Sequence, residues 1–400
     1  MKCAVANKAK DPWFQYFQDS LDYLKHRDLL RSLRSITPVS GPEVMVGQSR
    51  YLLFCSNDYL GLASEPRMKE AASKAALSYG TGSGASRLIS GNLHLYGELE
   101  KEVSQLKSTE GSLVFSSGFA ANVGVISALA RSQDALILSD ELNHASIIDG
   151  CRLSKAEVMV YPHCDSDYVR SLLSSAPPRS KILIVTDGIF SMDGDIAPLQ
   201  ELYALSVEYG ALLLVDDAHG TGVIGENGAG SLEYVGLEGA EIVQIGTFSK
   251  ALGGLGGFVA GSALVIDYLI NRARSLIYST GLPPSVLASN LMALKIVRQE
   301  PERRHKLGLL SRRLVSGLAS LGFSIQKGPS PIFPLIIGGK REILELSRFL
   351  WNKGIFVPAI RPPTVPEGKS RLRISLSAVH TQEQVEELLE ALTQFFRRGA

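Results

Sequence analysis

Six short apolar runs alternate with stretches of helical pattern through the middle of the chain, and this rhythm constrains the fold more than any other feature. The runs are SLVF (112–115), ALILSD (135–140), EVMVYP (157–162), KILIVTD (181–187), ALLLVDD (211–217) and EIVQIGTF (241–248). Near-continuous apolar strands joined by helical crossovers predict a mainly parallel sheet with helices on both faces, an α/β architecture. From about residue 290 the rhythm changes. Leu307, Leu310, Leu314 and Leu318 have helical spacing, IFPLIIG (332–338) reads as a strand, and Leu372, Ile374 and Leu376 alternate with polar neighbours as in a half-exposed strand. A last helix is expected from Thr381, with Gln384 completing a capping box. It carries Val385, Leu388, Leu392 and Phe396 on one face and ends in Arg397 and Arg398 beside its C-terminal dipole. At the opposite end Asp11 can cap a helix with Pro12 in its first turn and Trp13, Phe17, Leu21 and Leu24 on one face.

At 400 residues the chain exceeds what one core usually serves. The expected organisation is an N-terminal arm over 1–60, a large domain over 61–290 and a smaller C-terminal α+β domain over 291–400. A formal charge of +1 gives no field that would gather nucleic acid or anionic lipid. Cys3, Cys55, Cys151 and Cys164 contain no Cys-x-x-Cys pair, which fits buried thiols in a reducing compartment and neither a metal site nor a disulfide framework. The first residues hold no apolar run of signal-peptide length, and the uncharged stretch Ala251 to Ile266 is glycine-rich and closes at Asp267, short of a membrane span. These features predict a soluble cytoplasmic enzyme.

Ligands of an open α/β sheet bind beyond the carboxyl ends of its strands, so polar residues that follow apolar runs are the first candidates. In SSGFAAN (116–122) the backbone N–H groups of Gly118 and Phe119 would open a helix and face an anion. In LLLVDDAHG (212–220) two acids and a histidine follow four apolar residues, so Asp216 can pair with a protonated ring nitrogen and His219 can reach a substituent of the same ring. In GTFSKALGGLGG (246–257) Lys250 sits among small residues just after a strand, where a lysine can lose its proton and form a Schiff base. Taken singly, each has a plainer alternative: a strand-to-helix turn, a capping aspartate with a solvated neighbour, a surface lysine. Together with Asn143 and His144 between them, they supply an anion cradle, an acid, a stacking partner and an imine lysine, the four requirements of pyridoxal phosphate.

Further stretches are FCSNDYLGL (54–62), GTGSGASRLISG (80–91), LNHASIIDG (142–150), GIFSMDGDIAPL (188–199), YSTGLPP (278–284) and AIRPPTVPEGKSRLRIS (359–375). With these the chain resembles the α-oxoamine synthase family of fold-type I pyridoxal-phosphate enzymes from roughly residue 50 to 380. The resemblance implies a large domain built on a mainly parallel seven-stranded sheet, a homodimer with active sites at the subunit interface, and decarboxylative condensation of an amino acid with an acyl thioester. The last stretch resembles the branch that joins L-alanine to a pimeloyl thioester in biotin synthesis. Carried over by position, the resemblance makes Lys250 the lysine that binds the cofactor and later removes the α-proton. It has Asp216 protonate the pyridine nitrogen, His144 stack on the ring, and His219 and Ser191 meet the phenolic oxygen. Gly118, Phe119 and Thr247 hold the phosphate, and Ser279 and Thr280 reach the phosphate of the partner subunit. Asn57 and Arg361 handle the substrate, Arg361 through its carboxylate, and Arg31 meets the far carboxylate of the pimeloyl chain. The chain departs from the family pattern at Asp187, where many relatives have Glu, and at Ala85 and Tyr96. The rivals are a sibling that uses glycine or serine, an aminotransferase on the same fold, and a non-catalytic scaffold. Whether coenzyme A or a carrier protein brings the acyl group is left open.

Overall fold

A computed structural model describes residues 11–176, 181–325 and 328–397; Cys3 and Arg398 lie outside this range. The first helix, Pro12–His26, begins where expected: Asp11 accepts a hydrogen bond from the N–H of Trp13, and Pro12 occupies the first turn. It buries none of its side chains, and Trp13, Phe17 and Leu21 are at least half exposed. Three strands follow, β1 (Thr37–Pro38), β2 (Glu43–Val46) and β3 (Ser49–Leu53), paired antiparallel.

The large sheet has seven strands: β4 (Gly111–Phe115), β5 (Ala135–Asp140), β6 (Glu157–Tyr161), β7 (Lys181–Asp187), β8 (Leu212–Asp216), β9 (Ile242–Thr247) and β10 (Gly257–Gly261), in the order β4-β10-β9-β8-β7-β5-β6. Pairing is parallel from β9 to β6 and antiparallel where β10 joins β9 and β4. Six strands coincide with the apolar runs. The seventh, β10, is GFVAG, whose glycine ends leave too short an apolar run to stand out in the sequence. The strands are apolar on both faces because helices cover both: one layer packs Leu113, Val125, Ile137, Ile147 and Leu214, the other Leu138, Val169, Ile184, Leu202 and Val215.

The remaining strands are β11 (Ile332–Gly338), β12 (Ile355–Phe356), β13 (Ala359–Ile360) and β14 (Ser370–Ser375). The sheet β11-β14-β13 is antiparallel, whereas β12 pairs in parallel with β3 and so ties the N-terminal strands to the end of the chain. The leucines at 307, 310, 314 and 318 are the buried face of the helix Pro301–Ser320. The capping box of the last helix is present, with Gln384 N–H donating to Thr381 Oγ1 at 3.3 Å and Thr381 N–H to Gln384 Oε1 at 3.0 Å.

One expectation is corrected. β14 is the central strand of its sheet and is buried on both faces, not half-exposed. Its polar face carries Arg371 and Arg373, whose charges are taken up by the side chain of Asp193 and the carbonyl of Ser191. Buried arginines with such partners follow the same alternation as solvated ones, so the pattern alone could not separate them. Of the described cysteines Cys151 is buried, while Cys55 and Cys164 are half-buried. No helix among the described residues is long and apolar enough to cross a membrane.

Candidate active site

Asp187 ends β7 and Asp216 ends β8, paired in register, and Lys250 follows β9 by three residues. All three therefore emerge at the carboxyl edge of the parallel sheet. The loop after Lys250 turns through Gly253, with φ at +62°, where a Cβ would come within 2.3 Å of the backbone nitrogen of Ala63. Glycine there lets the segment that carries Asn57 and Tyr59 close onto the lysine loop.

Lys250 is half-buried, makes no ion pair among the described residues, and places Nζ 2.9 Å from Nε2 of His219. Burial lowers its pKa from the ordinary lysine value, against the opposing pull of Asp216 and Asp187. The pKa of His219 is held well below 6.5 by burial and then by the Lys250 and Arg373 cations. The other ring nitrogen of His219, Nδ1, meets Tyr59 Oη at 2.7 Å. That hydroxyl donates to Asn57 Oδ1 at 3.1 Å and accepts from Arg373 Nη2 at 3.2 Å. With its single proton engaged, Tyr59 accepts from Nδ1–H, so the lone pair of neutral His219 lies on Nε2 and faces Lys250.

Asp216 is buried and accepts from Asn122 Nδ2 at 2.5 Å and from the N–H of Ala218 at 3.0 Å. Asn122 Nδ2 also donates to Ser146 Oγ at 2.9 Å, leaving that hydroxyl to donate to His144 Nδ1 at 2.7 Å. The N–H of Ser146 points at the same nitrogen, so the proton of neutral His144 lies on Nε2. Burial lowers the pKa of His144, against Asp216, which raises it. Asp187 accepts from the N–H of His144 at 2.8 Å and fixes where that ring sits. Burial, and then the charge of Asp216, push the Asp187 carboxyl well above its usual range.

The helix Gly118–Leu129 opens against β9. Ser117 takes the N–H of Ala120 on its hydroxyl and that of Ala121 on its carbonyl. The N–H groups of Gly118 and Phe119 are left without partners among the described residues. A Cβ on Gly118 would lie 3.3 Å from that of Thr247, so the turn and the end of β9 form one concave surface. Thr247 Oγ1 bonds the carbonyl of Gly256 and the hydroxyl of Ser249, each at 2.7 Å.

His219 thus meets Lys250 directly and Asn57 through Tyr59, Asn122 and Ser146 link Asp216 to His144, and Gly118 lies against Thr247. Ser191 belongs to this group through its carbonyl, which holds Arg373. Beside it, His163 sits between Asp140 and Asp195. Burial alone would lower its pKa, yet the two carboxylates raise it to about 12, and the pair pins the 190–195 turn to the end of β5. Arg361 and Arg31 lie elsewhere: Arg361 donates to the carbonyl of Asp28 and Arg31 to Thr364 Oγ1, and both line a cavity that none of the residues above lines. Arg31 stands in the extended segment after the first helix and not on it. Ser279 and Thr280 form a rim, Thr280 bridged to Ser86. Tyr96 is buried, its hydroxyl accepting from the N–H of Leu282 and its ring under Arg87. Sequence reasoning missed Tyr59, Asn122 and Arg373, although each falls inside a stretch that had been singled out.

Residues 49–392 match the family model described as aminotransferase class I and II. The chain is 49% identical over 372 residues to an 8-amino-7-oxononanoate synthase of Anaeromyxobacter dehalogenans (strain 2CP-1), covering 93% of each. Among solved structures it is similar to a serine palmitoyltransferase of S. paucimobilis with a bound PLP-myriocin aldimine, with a TM-score of 0.90 and 31% identity over 96% of this chain and 98% of that one. An 8-amino-7-oxononanoate synthase of Francisella tularensis gives a TM-score of 0.75 at 29% identity, covering 87% of this chain and 98% of that one.

Proposed function

The chain belongs to the aminotransferase class I and II family and, within it, to the 8-amino-7-oxononanoate synthases, and from that membership we propose that it condenses L-alanine with a pimeloyl thioester. The products are 8-amino-7-oxononanoate, carbon dioxide and the free thiol carrier, a step of biotin synthesis. The observation that carries the reading is Lys250: an amine of lowered pKa without a carboxylate partner, held by a neutral histidine at the carboxyl edge of the sheet.

The cofactor of this fold is pyridoxal phosphate, and the residues present fit it. Two unpartnered N–H groups stand at a helix N-terminus beside Thr247, an acid is held by Asn122, and a neutral imidazole ends the hydrogen-bond chain that runs from that acid through Asn122 and Ser146. When bound, pyridoxal phosphate supplies an electron sink for the amino-acid Cα. Gly118, Phe119 and Thr247 bind its phosphate, with Ser279 and Thr280 serving the site of a second subunit. Asp216 holds a proton on the ring nitrogen, and Asn122 keeps that carboxylate aimed. His144 covers the ring face, and His219 with Ser191 meets the phenolic oxygen. Lys250 Nζ takes the α-proton of alanine and returns one after carbon dioxide is lost, while His219 Nε2 orients it. Asn57, linked to buried Arg373 through Tyr59, and Arg361 handle the substrate, Arg361 through its carboxylate, and Arg31 meets the far carboxylate of the pimeloyl chain.

We further infer a cytoplasmic homodimer. Support for the dimer comes from the exposed apolar side chains of the first helix and from exposed Leu88, Ile89 and Tyr278, which lie within three residues of the Ser86–Thr280 bridge along the chain. The division into three parts is supported by the change of sheet between β10 and β11, although residue 290 itself falls within the helix Pro284–Gln299 and the β3–β12 pairing joins the first part to the third.

The test mixes the protein loaded with pyridoxal phosphate with alanine, glycine or serine, adds pimeloyl-CoA, and follows the visible spectrum with product and carbon dioxide. Turnover with alanine alone is expected. Turnover of glycine or serine with another acyl-CoA would make the chain a sibling synthase, and transfer of the amino group to a 2-oxo acid would make it an aminotransferase.

A further inference from the structure

A cavity of about 940 Å³ opens between residues 29–36 and the helix Lys340–Asn352. Four arginines line it, Arg31, Arg34, Arg348 and Arg361, and no Asp or Glu does. Arg31 and Arg361 each have one neutral acceptor. Arg34 and Arg348 have no acceptor among the described residues; the guanidinium of Arg34 lies 4.4 Å from the ring centre of Trp351 and 5.4 Å from that of Phe356. Four like charges gathered without a counter-charge repel one another, and the arrangement is stabilised only when an anion enters.

Substrate carboxylates at Arg361 and Arg31 would satisfy those two guanidiniums and still leave Arg34 and Arg348 uncompensated. A phosphate offers more oxygens and more charge. We propose that this cavity binds the phosphate of the pantetheine carrier that delivers the acyl group, with Arg34 and Arg348 as its ligands. The proposal rests on the reading that the second substrate is a pantetheine thioester. Coenzyme A and an acyl-carrier protein share that phosphate, so the cavity serves either.

Trp351 stands in the wall and is one of two tryptophans in the chain, the other being Trp13. In the Trp13→Phe holoenzyme, its fluorescence reports the cavity. Coenzyme A and phosphopantetheine are expected to change it, and pantetheine without phosphate to bind much more weakly. Arg34→Gln and Arg348→Gln should each weaken phosphopantetheine binding by about tenfold, the loss of one charge-assisted hydrogen bond, with Arg34→Lys restoring part of it. The same variants should raise KM for pimeloyl-CoA by a similar factor and leave KM for the phosphate-free N-acetylcysteamine thioester unchanged. Adenosine bisphosphate binding as tightly as coenzyme A would place the nucleotide end in the cavity, whereas phosphopantetheine binding without it would place the arm common to both carriers. Equal loss with both thioesters would overturn the proposal by assigning the arginines to the acyl end, and so would no change with either. If no pimeloyl thioester is turned over, the functional reading falls, while the fluorescence titration still decides whether the cavity takes a phosphate.

Discussion

Lys107 and Lys250 are both drawn in from solvent, and they sit beside consecutive aspartates of one strand end. Lys107 is fully buried and neutralised: Nζ donates to Asp217 Oδ2 at 2.7 Å and to the carbonyl of Ala229 at 2.5 Å. Asp217 is saturated in turn by Ser231 and by Thr221 Oγ1. Lys250 has no such partner, and Asp216 is held by Asn122 instead of by a cation. Successive side chains of a strand point to opposite faces, so one residue's difference in sequence separates a scaffold pair from a reactive pair. A buried lysine whose charge is paired stays inert, whereas one left next to a neutral imidazole loses its proton readily.

Exchanging the lesions tests this contrast most severely. Lys250→Ala is expected to lower kcat by more than about a thousandfold, the scale of losing a positioned base, with an unfolding midpoint close to that of the parent. Lys107→Ala should do the reverse, costing about 3–5 kcal/mol in urea unfolding because it strands a buried carboxylate, while folded protein keeps its kcat. A collapse of kcat in folded Lys107→Ala would erase the distinction. Next in size is the aspartate pair. Asp216→Asn should cost on the order of a hundredfold in kcat, the value of a charge-assisted hydrogen bond, whereas Asp217→Asn should appear in stability.

How much of this was legible beforehand depends on where the signal resides. Lys250, Asp216, His219 and Gly118 could be found because each follows an apolar run, and strand ends are written locally. Asn122 and Arg373 could not be given roles, since their partners Asp216 and Tyr59 lie 94 and 314 residues away along the chain. The strand β10 hid behind its glycines. β14 was misread because Arg371 and Arg373 obey the alternation of exposed residues while Asp193 and Ser191 bury them.

A gentler probe is the protonation of the two lysines. The lowered pKa of Lys250 means a larger amine fraction at any given pH, so acetylation of the apoprotein should reach Lys250 at lower pH than an ordinary lysine requires and rise with pH from there. Lys107, buried and paired, should be modified last. Peptide mass spectrometry across a pH series reads both, and simultaneous labelling would contradict the asymmetry.

The smallest effect is expected from Tyr59→Phe, which touches neither lysine. Its hydroxyl accepts from Arg373 and from the Nδ1–H of His219, and it thereby keeps the lone pair of His219 on Nε2, facing Lys250. Without it, two buried donors lose an acceptor, at a cost of about 1–3 kcal/mol in stability. The imidazole is then free to take the other tautomer, in which Nε2–H no longer accepts from Lys250. Tyr59 is therefore a positioning residue: its loss should lower kcat about tenfold, the rate equivalent of 1.4 kcal/mol, and displace the pH dependence of the cofactor absorption, while KM for alanine changes little. An unaltered pH profile together with an unaltered kcat would mean that the orientation of His219 is set by Lys250 alone, and the reactive lysine would then need less of the scaffold around it than the contrast with Lys107 implies.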